Sequence, residues 1–286
     1  MDPRYGTDRT ENRSMPSGTL TDVSRIGNLV KHQALKQLNR RRSASEVPVA
    51  RLDELLNRHG DGRSKVFVHV GLSDVKRAFR TDPYAFLRSK LDEHFRSVLA
   101  PGFTDYFATS GVYHKQYSRP KHGTFGPLFL RDADYRTDDA MKSILVRGPY
   151  RFDGCLHSDT YHEDGCFARL VEEDALVMDI GTPWLTCSHL HHFESRLDLE
   201  YVVTETFEGV ICTEEGGCEP VEQTCGVRTS PFYSWNKPKL TRDLERDGVL
   251  HRYDLNGLQV LFFTLGDLKS SLVPRLRADP QYLVTL

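Results

Sequence analysis

Apolar positions along this chain recur in two rhythms that take turns. KVFVHVGL, from Lys65, is a short β-branched and aromatic run closed by Gly71 and predicts a buried strand, whereas DPYAFLRSKLDEHFRSVL has the spacing of a helix. SVLAPGFTDY predicts another strand stub leading into a polar, aromatic loop. LVMDIGTPWLTCSHLHHFES predicts a strand over 175–181, a turn at Gly181 and Pro183, and a helix from about Thr186 or Ser188. The closing HRYDLNGLQVLFFTLGDLKSSLVPRLRADPQYL predicts a hairpin-like strand pair and a helix. Upstream, VARLDELLNRHGDG predicts a helix ended by glycine, and Ile26, Leu29, Val30, Leu35 and Leu38 mark a weak helix that runs into basic residues. The stretch from Thr204 to Asp247 is rich in Glu, Gly and Cys and predicts a less regular excursion beside the site. Strand alternating with helix implies a three-layer α/β domain over residues 51–286, built on a central mixed, largely parallel sheet. Residues 1–50 are expected to be a partly disordered tail carrying the weak helix, since the first 17 or so offer too little apolar surface to offset the entropy of ordering.

Composition narrows the partner. A formal net charge of −2 over 286 residues provides no field to hold nucleic acid or an anionic membrane. The basic end of the weak helix reads as a docking arm, and a small molecule is the expected ligand. No stretch reaches the roughly 18 apolar residues of a membrane span, and the polar N-terminus has no apolar signal region, so a cytoplasmic protein is expected. In that compartment Cys155, Cys166, Cys187, Cys212, Cys218 and Cys225 are expected as free thiols. The spacing of Cys212, Cys218 and Cys225 lacks the close pairs of structural zinc sites.

His189, His191, His192 and Glu194 crowd the start of a helix at the carboxyl end of a strand, where ligands of open α/β sheets gather. Metal binding, proton transfer and packing are all open for them. On a regular helix His191 and Glu194 share a face, so Glu194 can orient His191 or bind a cationic substrate group. His189 lies about 200° round from His191, with His192 beside it, so the three histidines do not serve one centre, and the HExxH spacing of zinc hydrolases is absent. A Cys187–His191 nucleophile pair is a further option.

Several segments together resemble the aminoglycoside 3-N-acetyltransferase family, in order from Lys65 to Leu286. KVFVHVGLSDV is similar to its His-x-Ser-Leu strand end, with His69, Leu72 and Gly71 in place of serine; SVLAPGFTDY is similar to its second strand. RTDDAMKS resembles its Arg-Ser-x-His-Pro-x-x-Ser motif through Arg136, Thr137, Asp139 and Ser143, and SHLHHFE its Thr-x-x-His-x-x-Glu motif through His191 and Glu194. The last strand and helix, ending in Asp-Pro, complete the set. The resemblance implies acetyl-CoA as acyl donor, an amine acceptor, and no metal. It implies His191 as general base with Glu194 and Asp139 in the catalytic site, and His69, Gly71, Leu72, Arg136 and Ser143 toward the cofactor. Asp139 where resistance enzymes carry histidine, and YVVTETFEGVI after the histidine helix, resemble the Asp-Pro variant found in the branch acting on surface glycans and amino sugars, with Ala140 replacing the proline. An amino sugar is thus the expected acceptor. A metal-dependent hydrolase built on the histidine cluster and a catalytically silent sugar- or CoA-binding relative are the alternatives.

Overall fold

A computed structural model describes residues 45–213, 215–230 and 233–285. The weak helix expected before residue 45 lies outside the described residues. Packing begins ahead of residue 51: Val47 is buried, and the Ser45 amide donates to Asn256 O at 2.9 Å.

The elements run α1 (Val49–Gly60), β1 (Lys65–Val70), α2 (Leu72–Phe79), α3 (Pro83–His94), β2 (Ser97–Pro101), α4 (Phe107–Ser110), β3 (Val112–His114), α5 (Phe125–Phe129), β4 (Tyr135–Arg136) and β5 (Ile144–Arg147). They continue with α6 (Cys166–Glu172), β6 (Leu176–Ile180), α7 (His189–Ser195), β7 (Val202–Cys212), β8 (Cys218–Arg228), β9 (Ser234–Trp235), α8 (Lys237–Arg246), β10 (His251–Leu255), β11 (Leu258–Thr264), α9 (Leu265–Ala278) and β12 (Val284–Thr285). Local chemistry sets several starts. The Asp82 carboxylate accepts the Ala85 amide at 2.8 Å with Pro83 opening α3, and the Thr264 hydroxyl caps α9 through the Asp267 amide.

The main sheet has the order β10-β11-β6-β1-β2-β5-β4. β1 pairs in parallel with β2 and β6, while β11, β10, β5 and β4 join antiparallel, so that β10, β6, β1, β2 and β4 share one direction and only β11 and β5 oppose it. The central strands are buried on both faces, which explains their near-continuous apolar runs. One face packs Val66, Val68, Met178 and Phe262 against α1, α2, α3 and α5. The other packs Phe67, Val177, Leu261 and Phe263 against α6, α7, α8 and α9. The result is three layers.

The stretch after Thr204 departs from the irregular excursion expected. β7 and β8 form an eleven-residue antiparallel hairpin, in register from Val202↔Arg228 to Cys212↔Cys218, with β3 added in parallel to β7. Glutamates and glycines break its alternation because much of the hairpin is exposed and little apolar patterning is needed. Cys212 and Cys218 face each other across it and are joined in a disulfide, which corrects the expectation of six free thiols; Cys155, Cys166, Cys187 and Cys225 are free.

Candidate functional site

Two strands deliver polar side chains into an otherwise apolar layer. His69 of β1 and Asp179 of β6 are register partners, each two residues before a glycine, and both are buried. His69 Nδ1 lies 2.9 Å from Asp179 Oδ1, and its Nε2 lies 3.0 Å from Ser188 Oγ and 3.3 Å from the Ser188 amide nitrogen. Asp179 Oδ2 also accepts the Thr186 amide at 2.6 Å. Burial pushes the Asp179 pKa up, and the His69 hydrogen bond opposes it. The two strand ends then meet backbone to backbone. A Cβ at Gly71 would stand 2.1 Å from Gly181 O, the Gly71 amide donates to Ile180 O at 2.8 Å, and Gly181 holds φ +70°. Gly71 therefore admits Gly181 rather than a cofactor, and both ring nitrogens of His69 are engaged within the chain. Leu72 opens α2 beside them and packs into the core.

α7 separates its histidines as the helical wheel requires. His189 is fully buried between the edges of Phe67 and Phe167, and neither ring nitrogen has a partner among the described residues. Burial drives its pKa well below 6.5, and His192 is lowered to about 4 for the same reason. His191 is different: its side chain is 31% exposed, and Nδ1 lies 3.3 Å from Glu194 Oε2. Its ring packs on Trp235 with centroids 4.4 Å apart. Burial lowers its pKa below 6.5, Glu194 pulls the other way, and the Lys142 and Arg228 charges add to the lowering.

Glu194 is a fully engaged carboxylate, 1% exposed. It accepts from Trp235 Nε1 at 2.8 Å, from the Tyr201 hydroxyl at 3.2 Å, and from Arg228 Nη2, which lies 3.2 Å from both oxygens. Burial alone would raise its pKa, but the His191 hydrogen bond and the Arg228 charge outweigh it and hold the group below 4.5. Every neighbour of Glu194 is a donor, so His191 carries its proton on Nδ1 and leaves Nε2 as the basic nitrogen.

Arg136, Ser143 and Asp139 fall elsewhere. The Arg136 guanidinium donates to Gly102 O, Ser118 O, Lys115 O and Ser143 Oγ at 2.6, 2.7, 2.9 and 3.0 Å, and Ser143 donates onward to Gly102 O at 2.8 Å. These two expected cofactor residues thus spend their hydrogen bonds on loop carbonyls. Asp139 is 4% exposed and accepts the Met141 and Lys142 amides at 2.9 and 2.6 Å, the pattern of a turn cap. Burial raises its pKa to about 6. Neither Asp139 nor Glu194 is open to hold an incoming ammonium.

Sequence reasoning missed Asp179, Ser188, Arg228 and Trp235. A faint signal existed for Asp179: LVMDIG and FVHVG each place one polar residue, Asp179 and His69, at the same distance from a terminal glycine. Arg228 and Trp235 come from the excursion, where no motif marks them. Cys187 is buried, and burial raises its thiol pKa, which disfavours the optional Cys187–His191 nucleophile pair. Among the described residues the trio of possible metal ligands within 4.8 Å of one another is Asp53, Glu93 and His94, not the α7 histidines, and Lys90 pairs with both of its acids.

Known proteins share this architecture. The chain is similar in structure to aminoglycoside acetyltransferase AAC(3)-Xa, with a TM-score of 0.65 at 17% identity over 86% of this chain and 97% of that one. The enzyme AAC-IIIb, solved as a binary complex with CoASH, gives 0.62 at 17% identity over 79% and 96%. The YokD protein from Bacillus subtilis gives 0.59 at 12% identity over 83% and 95%. No curated protein matches the chain by sequence. The residue pattern of the aminoglycoside 3-N-acetyltransferase family matches residues 98–276, well over half of the 286, and includes the His191–Glu194 pair and the strands that flank it. The chain belongs to that family, the N-acetyltransferases that draw their acyl group from acetyl-CoA.

Proposed function

We propose that the chain transfers the acetyl group of acetyl-CoA to the amine of an amino sugar, with His191 as general base. The carrying observation is that the one part-exposed histidine of α7 is also the one whose tautomer is held by a buried carboxylate. Acetyl-CoA supplies the acyl group as a thioester. An amine acceptor at pH 7 arrives mostly as an ammonium, and a neutral imidazole with a basic Nε2 relieves it of a proton as the nitrogen becomes nucleophilic. The lowered pKa of His191 keeps that imidazole neutral at pH 7. Glu194 orients the ring and Trp235 backs it. Leu72 packs into the core at the carboxyl end of the parallel strands, and Arg136 and Ser143 hold the Gly102 loop through its carbonyl. The similar enzyme AAC(3)-IVa, solved in complex with a gentamicin, and AAC-VIa, solved bound to sisomicin, support an acceptor of that chemistry.

Thiol release from acetyl-CoA across amino sugars, nucleotide-linked amino sugars and aminoglycosides identifies the acceptor. His191→Ala should lower turnover ~100-fold or more, with little change in CoA affinity. His189→Ala and His192→Ala should keep most turnover. The acid limb of kcat/KM should fall below pH 6.5, in the direction of the lowered His191 pKa. An active His191→Ala protein would refute the assignment.

A further inference from the structure

From Lys115 to Arg131 the chain carries Lys115, Arg119, Lys121 and Arg131 and no acid, in a protein whose net charge is −2. The fold wraps much of this run around a cavity of about 600 Å³, lined by Arg119, Arg131, Tyr117, Gln116, Pro127 and Leu128 among others, with no carboxylate in its wall. Neither guanidinium has an ion pair or a hydrogen bond among the described residues. Asp132, beside Arg131, is taken by the Tyr84 hydroxyl at 2.6 Å and by Arg88 at 2.8 Å. Gln116 Oε1 is shut off from solvent and accepts nothing among the described residues, an unmet demand that a ligand donor would satisfy. The Tyr117 ring is 73% exposed. Two open guanidiniums suit phosphate oxygens, and a bare phenol ring beside proline and leucine carbons suits a flat base. The volume is that of a small-molecule site and far exceeds one phosphate.

The catalytic region has the same sign. Asp105, the one acid of the loop between β2 and α4, is claimed by Lys142, by His122 at 3.0 Å and by Lys121 at 3.5 Å. The adjacent Tyr106 donates its hydroxyl to Arg119 O at 3.1 Å, which ties this cluster to the cavity wall. The Lys142 charge is felt at His191, whose pKa it helps to lower. Glu194, Asp139 and Asp105 are thus all engaged by the protein's own donors. A polycationic acceptor finds no open carboxylate among them, whereas an anionic one meets Arg119 and Arg131 unpaired.

We propose that the cavity lined by Arg119 and Arg131 holds the diphosphate and base of a nucleotide-linked amine, so that the acceptor is an anion rather than an aminoglycoside polycation. The guanidiniums bind the phosphates, and Tyr117 stacks on the base. The proposal rests on the reading that the chain acetylates an amine.

Calorimetry of the full-length protein with UDP and with ADP, a pyrimidine and a purine probe, tests the cavity without any turnover. At least one should bind, more weakly as salt is raised, and CoA should not displace it. Arg119→Gln and Arg131→Gln should each weaken that binding ~10-fold or more, the loss of a charge-assisted contact. In thiol-release assays a nucleoside-diphosphate-linked amino sugar should exceed glucosamine and sisomicin in kcat/KM, and Arg119→Gln should raise its KM with kcat little changed, because the contact is the same in ground and transition states. No binding of either probe, or equal binding by the two variants, overturns the proposal, as does equal turnover of glucosamine and the nucleotide-linked amine; acetylation of any amine in those cases leaves the acetyl-transfer reading standing. Displacement of the probe by CoA also overturns it, since the cavity then serves the donor. Probe binding that the variants weaken, with no amine turned over, keeps the anion cavity and sinks the acetyl-transfer reading instead.

Discussion

Replacing Glu194 with glutamine changes one atom's hydrogen-bonding character at the most heavily shared group of the site. Oε1 accepts from Trp235 and Tyr201, Arg228 spans both oxygens, and Oε2 faces His191 Nδ1. An amide nitrogen in place of either oxygen sets a donor against donors. Breaking a buried ion pair from one side costs ~3–5 kcal/mol, and the low end applies here, about 3 kcal/mol. Arg228 is 19% exposed, keeps the Tyr233 carbonyl at 3.0 Å and remains over the Trp235 ring, so part of its stabilisation survives. The second effect is chemical. His191 relieves the clash by moving its proton to Nε2 and offering Nδ1 as an acceptor, which removes the base and should lower turnover ~10²–10⁴-fold with CoA affinity nearly unchanged. Urea unfolding measures the first effect, thiol-release kinetics the second, and nitrogen-15 shifts of the His191 ring read the tautomer directly. The sign with pH is also set. The Glu194 pKa is lower folded than unfolded, so its stabilisation is fully present above 4.5 and is lost as pH falls through the folded value. The stability gap between wild type and Glu194→Gln should therefore close in acid. Turnover within a few-fold of wild type, with the Nδ1–H tautomer intact, would refute the orienting role.

Two further outcomes concern the frame. Because the His192 pKa is lowered to about 4 in the folded chain, the unfolded chain binds the extra proton as pH drops from 6.5 toward 4, and stability should fall by on the order of 3 kcal/mol across that window. His192→Leu should flatten this part of the urea-midpoint profile, and an unchanged slope would assign the acid sensitivity to other groups. Gly71→Ala places a Cβ against the Gly181 carbonyl and should cost about 3 kcal/mol, the upper end for overpacking, in thermal or urea unfolding. A neutral result would mean that the two strand ends are free to separate.

The amino-acid sequence by itself determined most of the elements outside the β7–β8 hairpin and the separation of His191 from its neighbouring histidines on α7. The continuous apolar runs of β1, β2 and β6 announce strands covered on both sides, helical spacing marks α3 and α9, and the 3.6-residue period of α7 alone divides His191 from His189 and His192. These are local properties, carried by residues within a turn or a strand of each other. Partnership across the chain is not. Glu194 is held by Arg228, 34 residues away at the end of a hairpin whose exposed faces need no apolar rhythm, and by Trp235 of β9, 41 residues away. His69 meets Asp179 across 110 residues because two strands pair in one register, and the same offset brings Gly71 against Gly181. Arg136 and Asp139, which a motif marks as site residues, turn inward to carbonyls and amides supplied by other loops. Tertiary structure decided these matters because a buried polar group takes whichever partner the fold brings within hydrogen-bond reach, and that reach is set by strand register and loop closure over distances that no local pattern records.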